Sequence, residues 1–170
     1  MKMDEKKLFP PTVDAQKEIQ WGLTAAAISS LYSLVFIARY LDRRASLFTI
    51  DPATSKRILV EGRMIEDFFE LAEPCLAGFE LVLVMLAGMV LYHYLSYYLG
   101  GKPIYTMMRL PNPWERHIRV WAAPILGAAA IVFLAAIVLG LYLALYWIAT
   151  PDVCIPDGQW IRFLRIWRGV

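Results

Sequence analysis

Charged residues are missing from three long stretches of this 170-residue chain: none lies between Glu18 and Arg39, between Glu80 and Lys102, or between Arg119 and Asp152. The gaps hold 20, 21 and 32 residues. About 20 helical residues cross a hydrocarbon core of roughly 30 Å, so each gap is long enough for a transmembrane helix. Cysteine is scarce too. Cys75 and Cys154 are too few for a disulfide scaffold or a four-ligand metal site, which leaves either one bridge between them or two free thiols. The two histidines, His93 and His117, have no metal-ligand partners at a recognised spacing. A phosphate-cradling glycine loop, a zinc-binding His-Glu-x-x-His helix and a nucleophile elbow are all missing, so neither a catalytic constellation nor a cofactor is expected. There is no Lys/Arg-rich block, and the formal net charge is only +2. Nucleic acid is therefore excluded as an expected partner.

What is present is apolar. Hydrophobic residues make up 59% of the chain and charged ones 19%, well outside the balance of a soluble domain. The fold expected is all-α: an integral membrane domain over residues 21–170, preceded by a polar tail over 1–20 that Pro10 and Pro11 keep from being one helix. The three expected spans are 21–40, 74–98 and 120–149, with connections 41–73 and 99–119. Trp21 and Tyr40 bracket the first span, and Tyr92, Tyr94, Tyr97 and Tyr98 crowd the end of the second, as amphipathic rings do at headgroup level. Pro74 suits a first-turn position and marks the expected start of the second span. Gly100 and Gly101 stop it. Within the first connection, residues 58–72 have the apolar spacing of a membrane-associated helix. Small residues at Gly22, Ala26, Ser30 and Ser33, and at Ala136, Gly140 and Ala144, permit close helix approach or simple lipid compatibility. The C-terminal residues 159–167 mix aromatic and aliphatic side chains with arginine, as a short amphipathic segment at a membrane interface or on a partner would.

Glu80 is the costly residue of the second span, because a carboxylate inside an apolar helix costs about 3 kcal/mol unless paired or protonated. Arg39, at the end of the first span, is the expected partner. The pair serves either as an intramembrane ion pair that fixes packing or as the lining of a polar path. On one continuous helix Glu66, Glu70, Glu73 and Glu80 would share a face. Basic residues do not orient the chain: eight Lys and Arg fall on the side of the tail and second connection, nine on the other.

Residues 92–119 run from a tyrosine cluster through Lys102, Ile104 and Tyr105 to Arg109-Leu110-Pro111 and Trp114-Glu115, and Cys154 is followed by Pro156, Gly158, Gln159 and Trp160. These patterns resemble small membrane proteins of gut-type Firmicutes associated with ATP-binding-cassette transporter permeases. The resemblance covers the second half of the chain, and the first half by hydropathy alone. It implies a permease-like or accessory membrane subunit, partnered by a separate ATPase subunit and by a second membrane subunit or further copies of itself. It also implies a multi-pass protein of the cell membrane with its N-terminus inside. The alternative is a small membrane sensor or assembly factor without a transport path. In the transporter reading, Tyr105, Arg109, Leu110, Trp114, Glu115 and Arg116 form the connection that docks on the ATPase, since aromatic and arginine side chains anchor interfaces. Otherwise that connection is a basic loop that sets topology against anionic lipid.

Overall fold

A computed structural model describes residues 14–51, 56–60, 62–99 and 114–156. Helix α1 (Ala15–Ser33) is followed by α2 (Val35–Ala45), a hairpin of β1 (Phe48–Ile50) and β2 (Arg57–Leu59), the long helices α3 (Phe68–Leu99) and α4 (Trp114–Ala149), and a 3₁₀ turn at Asp152–Cys154. Three helical stretches, Ala15–Ala45, Phe68–Ser96 and Val120–Ala149, are long and apolar enough to cross a membrane. Only 17%, 22% and 11% of their most apolar windows are buried, so most of this surface faces outward. The mostly helical fold with three apolar helices is as expected from the sequence.

The boundaries differ from the expected ones, and local chemistry explains why. Asp14 caps α1, its carboxylate accepting from the Gln16 N–H at 3.2 Å, so the helix starts at Ala15 rather than at Trp21. Residues 15–20 are thus helix, not tail. Near Leu34 the chain tightens into i to i+3 bonds, with the Leu34 N–H donating to Leu31 and the Ile37 N–H to Leu34. In α3, the Asp67 carboxylate accepts from the Phe69 N–H and opens the helix at Phe68, six residues before Pro74. Glu66 therefore lies outside the helix and cannot share its face with Glu70, Glu73 and Glu80. Helix α4 begins at Trp114, inside the expected second connection.

The expected helix over 58–72 is replaced at its start by a strand. Phe48, Thr49 and Ile50 pair antiparallel with Leu59, Ile58 and Arg57. These β-branched and aromatic residues flank the Asp51-Pro52 turn signal, and that pattern outweighs the weaker helical spacing. Gly62, at φ 77°, then reverses the chain in a conformation that costs other residues about 1–2 kcal/mol.

The chain divides into two compact units, Met1–Ser30 with Gly78–Ala135, and Leu31–Ala77 with Ala136–Val170. The second unit has an aromatic core. Phe36 stacks on Tyr142 with ring centres 4.5 Å apart, and Phe68 packs edge-on against Phe36 and Tyr146. Their polar tips are satisfied: Tyr142 bonds Ser33 at 2.9 Å, Tyr40 bonds Thr150 at 2.9 Å, and the Tyr146 hydroxyl donates to the Glu66 carbonyl at 3.1 Å. Cys75 and Cys154 are free thiols buried in this same cluster. In the first unit the closest backbone approach is at Gly78, where an added Cβ would lie 3.2 Å from the Ser29 Cα. The Ser29 hydroxyl donates across that contact to the Gly78 carbonyl at 3.0 Å.

Candidate functional site

The first unit holds a buried polar chain that three helices assemble. It begins with a proline. In an α-helix the N–H of residue 124 would donate to the carbonyl of residue 120, but Pro124 has no N–H, so the Val120 carbonyl is left without its helical donor. His93 on α3 supplies one, its Nδ1 lying 3.2 Å from that oxygen. On the other side of the ring, Nε2 is 2.9 Å from Oε1 of Glu18 on α1. His93 is 0% exposed and Glu18 12%.

These contacts fix where the hydrogens sit. A carbonyl only accepts, so Nδ1 carries a proton. The short Nε2 to Oε1 contact then requires one further proton shared between them. Whether that proton rests on nitrogen or on oxygen, the pair has no net charge, the arrangement that suits a nearly dry site. One atom is left over. Oε2 of Glu18 is buried and has no hydrogen-bond partner.

Glu18 also lines a cavity of about 500 Å³ in the same unit. Its other walls are apolar, among them Trp21, Ala26, Val82, Met89, Leu126 and Ile131. This size falls within the usual range for small-molecule sites, which are mostly apolar with a few placed polar groups. Farther along α3, a second polar contact joins Tyr94 to His117 at 2.9 Å, and the Trp121 indole N–H donates to the Tyr94 hydroxyl at 3.2 Å.

The residues singled out from the sequence are distributed differently. Glu80 is exposed on α3 in the first unit, and Arg39 is half-buried on α2 in the second. Among the described residues the ion pairs are Lys17 with Asp14, Arg43 with Glu66 at 2.8 Å, and Glu18 with His93. Trp114 is exposed in the first turn of α4, which also contains Glu115 and Arg116. Tyr105, Arg109 and Leu110 lie outside the described residues, as do 1–13 and the C-terminal segment 159–167. Among the described residues, no group of three or more His, Cys, Asp and Glu is placed to hold a metal ion. Glu18 falls by composition in the polar stretch before the first apolar run, so the sequence alone does not mark it. The usable signal was Pro124, which orphans a carbonyl inside an apolar span and so calls for a donor such as His93.

No protein-family model, curated protein or solved structure matches the chain.

Proposed function

We propose that this chain is a multi-pass membrane protein that crosses the bilayer three times and, without catalysing a reaction, binds an apolar, membrane-soluble molecule in the cavity of its first unit. The observation that carries the reading is the cavity itself: apolar walls interrupted by one carboxylate, on helices whose outer surfaces are also apolar. In a bilayer it is reached from the hydrocarbon phase. Native mass spectrometry of the full chain released from nanodiscs tests this. The wild type should retain a small apolar ligand, and Ala26→Trp, which fills the cavity, should not. A wild type that carries no ligand and takes up a photoactivatable hydrocarbon no better than Ala26→Trp would sink the reading.

A second reading is favoured by Trp114, 70% exposed at the start of α4. An exposed tryptophan suits an anchor for a partner, and the resemblance noted above suggests the ATPase of an ATP-binding-cassette transporter as that partner. The chain then serves as an accessory or permease-like subunit of the cell membrane, N-terminus inside, with the cavity holding cargo or lipid. Co-purification with an ATPase, lost in Trp114→Ala with Arg109→Ala, supports this role. Retention of the ATPase by the double variant counts against it.

A further inference from the structure

We propose that the first part of α1, residues 15–28, is a hinged lid over the cavity, latched by the contact of Glu18 with His93 and pivoting at Ser29. The inference goes beyond ligand binding, because it gives the cavity an entrance from the bilayer. A span packed along its length shows buried positions every three or four residues. Among residues 15–28 none is buried, and Ser29 is the first buried residue of the helix. What lies beneath them is the cavity, with Gly22, Ala25 and Ala26 among its walls. A Cβ added at Gly22 would meet nothing within 4 Å.

The two ends of this stretch are attached differently. At Ser29 the helix packs on the Gly78 backbone. At Glu18 it is held by a side-chain contact, Oε1 to Nε2 of His93 at 2.9 Å. Burial of Oε2 without a partner works against that contact. Asp14 and Lys17, one turn away and adjacent, are well exposed, so outward movement of α1 hydrates both carboxylate oxygens. His93 meanwhile keeps its bond to the Val120 carbonyl, and α3 with α4 stays as it is. The pivot is also built to bend. The Ser29 and Ser30 hydroxyls lie 2.9 and 2.8 Å from the carbonyls of Ala25 and Ala26, one turn back, a pattern that bends helices.

Paired spin labels on the full-length chain in nanodiscs, with Cys75 and Cys154 replaced by serine, read the movement as distances. The pairs are 20 with 91 near the latch, 28 with 81 near the pivot, and 91 with 125 across α3 and α4; all five positions are exposed and none lines the cavity. The wild type should show a minor, longer component for 20 with 91 only. His93→Leu leaves both Glu18 oxygens unpartnered under the closed lid, so that component should grow about tenfold while the other two pairs hold. Glu18→Gln should stay close to the wild type, because its amide can donate to Nε2. A photoactivatable hydrocarbon loaded into the cavity should leave His93→Leu about tenfold faster than the wild type. The lid is overturned by a single narrow 20 to 91 distance in the wild type, by an unchanged distance in His93→Leu, by equal lengthening at the pivot pair, or by longer distances without faster release. Misfolding of His93→Leu would show in the 91 to 125 pair, and the wild-type component then decides. A wild type that binds no hydrocarbon sinks the ligand reading alone, since the distances are read without a ligand.

Discussion

Single atoms decide the energetics of this protein at two kinds of position. The first is the buried polar chain. His93→Leu removes the partner of both the Val120 carbonyl and Glu18 Oε1, and each buried group left unsatisfied costs about 1–3 kcal/mol. The variant should unfold at clearly lower temperature in detergent than Glu18→Gln, which keeps a hydrogen bond to the ring. Equal melting temperatures for the two would show that the pair contributes no specific stability. The second kind is glycine. At Gly78 a Cβ would meet the Ser29 backbone at 3.2 Å, and at Gly127 it would meet the movable end of Leu86 at 3.3 Å. Gly88 and Gly140 have open space around them. Alanine at 78 should therefore cost about 1–3 kcal/mol by overpacking, and at 127 less. At 88 and 140 it should be neutral or stabilise slightly, because alanine is the better helix former. Thermal unfolding of the four variants gives the order directly. The small residues visible in the sequence at Gly22 and Gly140 are not where helices of this chain approach closely, since pattern alone does not say which small residue meets a backbone.

At the level of elements, the fold was legible wherever composition dominates and obscure wherever one hydrogen bond sets a boundary. Three charge-free stretches sufficed to place α1 with α2, α3 and α4, because an apolar run of that length has few other uses. The start of α3 is hidden in the sequence, since Pro74 suits a first turn while Asp67 supplies the cap. The second strand of the hairpin fits a helix locally because Ile58 suits both periods, and its pairing partner, Phe48 to Ile50, lies outside the local window. Asp67→Ala should accordingly cost about 1 kcal/mol through loss of the cap. Pro124 is the element-scale determinant of the candidate site, and its consequence is testable on its own. In Pro124→Ala the new N–H competes for the Val120 carbonyl, and the ring clash that turns this carbonyl from the helix axis is gone. The Nδ1–H of His93 should then lose its bonded partner. Nitrogen NMR of labelled imidazole should report Nδ1 fully protonated in the wild type and only partly protonated in Pro124→Ala. An unchanged Nδ1 signal would mean that the carbonyl faces His93 for some other reason.

For the whole molecule, the proposal of three crossings makes a claim that no local contact can make. An odd number of spans places the two ends of the chain on opposite faces of the membrane, whichever end is inside. Lys17 and Val153 are suitable reporters because both are well exposed, Val153 at 82%, and neither belongs to a buried cluster. Cys75 and Cys154 are buried free thiols, so replacing both by serine clears the background; a stability loss is expected, since each fills a packed position. Single cysteines at 17 and 153 in that background, treated in intact cells with a membrane-impermeant maleimide, should give one labelled and one protected protein, with the protected one reacting after the membrane is opened. The near-even division of eight basic residues against nine leaves the direction open to experiment, and the resemblance to transporter-associated membrane proteins assigns position 17 to the inside. Labelling of both positions from one face would reduce the three crossings to two and so remove α1 with α2, or another of the three helical stretches, from the bilayer. Because the Glu18 and His93 pair needs α1, α3 and α4 together, the same result would also withdraw the membrane environment from the proposed ligand site.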